Sequence, residues 1–131
     1  RLAGGFYMDG GIADPIPAEQ ALRAGCDRVI VVLTRERGYI KQPEAALEIA
    51  ARRYHRYPAF AAALRRRTEA YNCGRDAVFA LEREGRVFVI APQDTSGWHR
   101  TEQSAEKLRE YYDLGRSETL AQMTALQQYL Q

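Results

Sequence analysis

The sequence predicts an α/β domain in which helices flank a small, mostly parallel sheet. Three observations point there. Residues 27–34 (Asp27-Arg28-Val29-Ile30-Val31-Val32-Leu33-Thr34) form a continuous β-branched run, the mark of a strand covered on both faces. A second apolar run, residues 86–91, stops at Pro92. Between them lies a long stretch of helical periodicity, the connection that two parallel strands require.

A chain of 131 residues makes one domain, large enough for a real core. Its 46% hydrophobic and 27% charged content excludes a disordered chain. No apolar run approaches the roughly 20 residues of a membrane-spanning helix.

Taken in order, residues 4–9 read as a short buried strand to which Tyr7 and Met8 contribute, and Gly10-Gly11 lets the backbone leave it through positive φ. Pro17 opens a helix carrying Ala18, Ala21 and Leu22, and Gly25 stops it. Strand, helix and the 27–34 strand then make a right-handed βαβ unit. Gly38 and Pro43 bracket a loop. Past Pro43, Ala46, Leu47, Ile49, Ala50 and Tyr54 share one helix side, with Arg52, Arg53 and Arg56 toward another. Pro58 starts a second helix whose inner face holds Phe60, Leu64, Tyr71, Val78 and Leu81. Arg67 and Gly74 fall on that same face. An arginine in an apolar stripe needs a carboxylate or carbonyl partner, and a glycine there admits close approach or a local break. Gly85 closes the helix. Residues 93–103 form a loop holding Trp98 and His99. The tail is helical from about Ser104, bent near Gly115, and helical again to Leu130, with Leu120, Met123, Ala125, Leu126 and Leu130 buried.

Net charge is +2, unevenly spread. From Arg35 to Arg67 stand nine basic residues (Arg35, Arg37, Lys41, Arg52, Arg53, Arg56, Arg65, Arg66, Arg67) against Glu36, Glu44 and Glu48. Such a segment either forms solvated helix faces or meets phospholipid headgroups. No aromatic interleaving or binding motif indicates nucleic acid. Cys26 and Cys73 have no metal-ligand spacing and read as small buried residues in a reducing compartment, hence a cytoplasmic setting. His55 and His99 lack an i+4 partner or a cysteine pattern, so neither reads as a metal ligand.

The candidate site is the stretch Phe6-Tyr7-Met8-Asp9-Gly10-Gly11-Ile12-Ala13-Asp14-Pro15-Ile16-Pro17. It puts Asp9 at the carboxyl end of a strand, where open α/β sheets hold ligands and catalytic groups. Two roles are open to such a carboxylate, catalysis or simple capping of the turn amides. Asp14 reads as the cap of the following turn or helix.

The run Tyr7-Met8-Asp9-Gly10-Gly11, with Asp14-Pro15-Ile16-Pro17 after it, resembles the Asp-Gly-Gly motif of the patatin-like phospholipases, acyl hydrolases working with a Ser–Asp dyad. The likeness continues through residues 21–35, in Tyr57-Pro58-Ala59-Phe60, in Tyr71-Asn72 and in residues 85–92. It resembles the carboxyl-terminal half of the bacterial branch. The resemblance implies part of a three-layer patatin-like fold, with residues 1–131 as the carboxyl-terminal part of a larger domain. It implies Asp9 as catalytic base, Gly10 and Gly11 shaping the turn that aims it, a lipid or ester substrate, and no cofactor, metal or catalytic histidine.

A dyad also needs a serine in a G-x-S-x-G elbow, oxyanion donors and an acyl pocket. Ser96, Ser104 and Ser117 stand in no such context, and Gly4-Gly5 is too short for the family's oxyanion loop. In the family both parts precede the Asp-Gly-Gly motif. With Arg1 in place of a starting Met, this leads to the expectation of a fragment, inactive alone, whose partner is the amino-terminal half of the same protein and whose uncovered strand edge invites self-association. A non-catalytic interaction or regulatory module is the chief alternative. A Rossmann-type ligand domain ranks last, since no G-x-G-x-x-G follows a strand.

Overall fold

The computed structural model describes residues 4, 7–99 and 101–131. Two parallel strands, β1 (Val29–Val32) and β2 (Val87–Ile90), pair in the register Val29 with Val87 through Val32 with Ile90. Three helices precede β2: α1 (Ala18–Arg23), α2 (Ala45–Arg53) and the long α3 (Pro58–Arg83). Two more follow it, α4 (Ala105–Ala121) and α5 (Met123–Leu130). The result is a small α/β fold whose sheet is parallel, as the two apolar runs require.

Both strands alternate in burial. Val29, Val31, Val87 and Val89 point to one side and join Val78 and Leu81 of α3 and Ala18 of α1 in the main core. Ile16, Leu22, Leu33 and Phe79 pack around its rim. A second cluster holds α2 on α3 through Ala51, Ala61 and Leu64, with Leu47, Ala50 and Phe60 against it. Tyr54 meets Phe60 edge-on at 5.0 Å.

Several expectations are corrected here. Tyr7–Asp9 are not a strand, and Tyr7 and Met8 are 67% and 60% exposed, because no described element covers them. Residues 5 and 6 of that expected strand lie outside the described residues. The first β–α–β connection is therefore β1 to β2 through α2 and α3. The inner face of α2 centres on Ala51 rather than on Ile49, which is 70% exposed: α3 approaches closely enough that only a methyl group fits. Both Cys26 and Cys73 are exposed, not buried. Gly115 does not interrupt α4, since a glycine within a helix costs only about 1 kcal/mol; the break falls at Gln122. Leu120 and Leu130 are half exposed, so the tail is less buried than its periodicity suggests.

What fastens the tail is polar. The Tyr129 hydroxyl accepts the Val29 amide (3.0 Å) and lies within donating distance of the Arg86 (3.0 Å) and Val29 (3.3 Å) carbonyls. Its ring rests 5.7 Å from Phe88 and beneath Arg28. One phenol thus satisfies backbone groups at the start of both strands.

Along β1 on the side away from β2 runs a groove of about 450 Å³, lined by residues 15–18 and by every residue from 29 to 34. Lining by consecutive residues means that the groove follows the unpaired strand edge. Val32 there is 68% exposed.

Removing the phenolic hydroxyl with Tyr129→Phe should cost about 1–2 kcal/mol, since it leaves the Val29 amide unpaired. A lowered urea midpoint with an unchanged slope, and faster exchange of the Val29 amide, are the expected readings. An unchanged midpoint would show that α5 is dispensable to the sheet.

Candidate functional site

Asp9 stands directly before a single 3-10 turn, Gly10–Ile12, in extended conformation (φ −54°, ψ 130°). Its Oδ1 accepts the Gly11 amide at 2.9 Å, and Oδ2 takes no hydrogen bond from a described residue. The carboxylate is exposed. Gly10 and Gly11 do not use positive φ, contrary to expectation; they coil in the right-handed sense, and the left-handed glycines are Gly4, Gly25, Gly85 and Gly97. A Cβ at Gly11 would lie 3.4 Å from Asp9 Oδ1, an ordinary contact with the carboxylate that folds back onto the turn. The Asp14 side chain caps no described turn or helix, and α1 begins behind Pro17 without a side-chain cap.

A second concavity lies at the carboxyl end of the sheet, where parallel α/β folds form ligand crevices. It encloses about 410 Å³. Thr34 and Arg35 enter it directly after β1, Tyr39 and Lys41 from the loop that follows, Arg67 and Tyr71 from α3. Trp98, His99 and Glu102 come from the loop after β2, Leu108 and Tyr111 from α4, and Pro15 from the Asp-Gly-Gly segment. Asp9 itself does not line the cleft.

Each wall is pinned by its own contacts. Asn72 brackets the Lys41 backbone, accepting its amide at 2.9 Å and donating to its carbonyl at 3.1 Å. Arg37 reaches across to α3, with Nη1 and Nη2 on Glu82 at 2.5 and 2.7 Å and Nη2 on the Val89 carbonyl at 3.3 Å. The loop after β2 is tied by buried Thr95, whose hydroxyl donates to Glu36 and accepts from Arg35 at 3.3 Å. The Thr95 hydroxyl, with the Glu36 backbone amide and nearby Arg35, holds the Glu36 carboxyl below its ordinary range. Trp98 stacks on Tyr111 at 4.3 Å between ring centres. Burial raises the Tyr71 phenol above its usual value, so it stays protonated at neutral pH.

Arg67 does form the ion pair that its place in an apolar stripe demands, with Glu44 at 3.9 Å. Gly74 lets Ile16 approach, a Cβ there meeting Ile16 Cβ at 3.7 Å, without breaking α3. Of the basic segment, Arg37, Lys41, Arg52, Arg65 and Arg67 find carboxylates, whereas Arg53, Arg56 and Arg66 pair with no described residue. His55 lies outside the cleft, its Nδ1 3.1 Å from the Arg52 carbonyl, and the described residues contain no cluster suited to a metal ion. No helix is long and apolar enough to cross a membrane.

Among the cleft residues, the sequence placed Trp98 and His99 only on a loop and marked Arg67 as an anomaly. Arg35, Tyr39, Lys41 and Tyr71 were not so marked, because nothing local marks residues that converge only when α3 packs beneath β1.

Residues 57–131, from α3 to the end of α5, match a family described as a domain of unknown function (DUF6363). The chain belongs to this family. Searches of curated proteins and of solved structures return no match. The DUF6363 match covers α3, β2, α4 and α5 and excludes the Asp-Gly-Gly turn.

The Glu36–Thr95 link gives the cleft an acid limit. Glu36 has a depressed pKa in the fold, so its contribution is complete above the unfolded value, about 4.3. It is lost as pH falls through the lower native value. Thr95→Val should cost about 1 kcal/mol at neutral pH and flatten stability against pH below 4.3 or so, as followed by thermal melts across that range. Parallel curves for the two proteins would overturn the link.

Proposed function

We propose that this chain is the carboxyl-terminal part of a patatin-like serine acyl hydrolase acting on lipid esters, with Asp9 as base of a Ser–Asp dyad. The observation that carries the reading is the state of the Asp9 carboxylate. The turn amide of Gly11 fixes one oxygen, and the other is left open to solvent, able to take a hydroxyl proton. The unpaired groove along β1 supports it too, since a further strand belongs beside β1 in the proposed three-layer fold.

In the proposed reaction a serine from the amino-terminal half gives its proton to Asp9 Oδ2 and attacks the ester carbonyl. The alcohol leaves, and water then releases the acyl group from the serine. Gly10 and Gly11 shape the turn that aims the carboxylate. Arg53, Arg56 and Arg66, exposed and without an ion pair to a described residue, would face anionic headgroups at a membrane periphery.

A non-catalytic interaction module is the second reading. It is favoured by the hydrogen bond from Gly11 to Asp9, which already gives the carboxylate a capping role.

Ester hydrolysis by the full-length gene product, beside its Asp9→Asn variant and this chain alone, separates the two. The hydrolase reading expects a loss of about 10³-fold or more in a folded variant, and no activity from this chain by itself. Equal rates in wild type and variant would move the interaction module to the front.

A further inference from the structure

We infer that the cleft at the carboxyl end of the sheet binds a phosphate ester, whatever role Asp9 plays. Its lining carries three cations, Arg35, Lys41 and Arg67, and one carboxylate, Glu102. Glu102 does not neutralise them. Its Oε1 accepts the Gln103 and Ser104 amides, both at 2.9 Å, and its Oε2 stands 3.5 Å from Lys107. Glu44 lies behind Lys41 and Arg67, contacting both without lining the cleft, and Glu36 is turned to Thr95.

Arg67 lines the cleft with a side chain about a quarter exposed, while its Nε is buried without a hydrogen-bond partner among the described residues. Arg35 sits 5.1 Å above the Tyr39 ring, with Nη1 on the Thr95 hydroxyl, so its guanidinium is held in place. Two planar forks and an ammonium, brought together from the loop after β1 and from α3, suit a group with several equivalent oxygens, which phosphate has and a carboxylate lacks. The opposite wall is apolar: Leu108, Pro15 and the stacked pair Trp98–Tyr111. The cleft therefore accepts an organic phosphate, its charged end on the arginines and its alcohol along the aromatic wall.

Trp98 is the only tryptophan, so its fluorescence reports occupancy directly. The probes are inorganic phosphate, glycerol 3-phosphate and short-chain phosphatidic acid. The ester probes should perturb Trp98 with millimolar or tighter affinity, weakening as salt rises. Arg67→Gln should lose about tenfold or more, and so should Arg35→Gln, which keeps the test open should the first variant fail to fold. Arg83→Gln and Asp9→Asn, both outside the cleft, should bind as wild type. Tighter binding of phosphatidic acid than of glycerol 3-phosphate identifies a lipid headgroup; equal binding identifies a soluble ester. No Trp98 response to any probe, or a response unaltered in folded Arg67→Gln and Arg35→Gln, would overturn the proposal. A binding-competent Asp9→Asn without hydrolase activity keeps the two proposals separable.

Discussion

The four valines that β1 and β2 turn toward α3 hold this domain. Val29, Val31, Val87 and Val89 are all at least nine-tenths buried, and each is worth about 1.5 kcal/mol or more removed from water. Parallel strands offer slanted, slightly weaker hydrogen bonds and cannot form a hairpin, so a two-stranded parallel sheet persists only when a helix covers it. Helix α3 does so with Val78 and Leu81, and the same helix holds α2 at its other end through Ala61 and Leu64. At 26 residues it spans both clusters and couples them.

The position of the cleft follows from that pairing. Because both strands run the same way, the loops leaving them emerge at one end, and α3 passes beneath them. Arg35 and Thr95, 60 residues apart, become hydrogen-bond partners only because β1 and β2 end side by side. The Arg37 bridge to Glu82 and the Val89 carbonyl ties the first of these loops to the helix. DUF6363 supplies about half of the cleft wall, including Arg67, Tyr71 and Trp98; Arg35, Tyr39 and Lys41 come from the segment before it. The cleft thus forms only where the two segments meet.

The elements with strong periodicity were legible in the sequence: the β-branched runs, the proline at the start of α3 and the left-handed glycines closing α1 and α3. What failed has physical causes. The apolar run at Tyr7-Met8 looks like a buried strand, but a strand is buried only if something lies on it, and the groove beside β1 is open. The α2 face read from Ala46, Leu47, Ile49, Ala50 and Tyr54 missed Ala51, the residue buried against α3, although Leu47 and Ala50 do pack beside it. Gly10-Gly11 suggested a left-handed exit, yet a tight right-handed turn also uses small residues when a carboxylate folds back over it. Of the cleft cations, Arg35 and Lys41 were seen only within a charge excess, because their convergence with Arg67 is a long-range consequence of topology.

Asp9 and the cleft are neighbours in chain and separate in chemistry. The segment that begins at Asp9 touches the cleft through Pro15, five residues after the first glycine of the turn. An ester whose phosphate rests on Arg35 and Arg67 would leave along the apolar wall of Trp98, Tyr111 and Leu108, so the reacting carbonyl need not lie among the cations. That separation suits lipid esters, in which the anionic headgroup and the scissile bond are distinct. Among the described residues no arginine or lysine pairs with Asp9, whose carboxylate is held by the Gly11 amide.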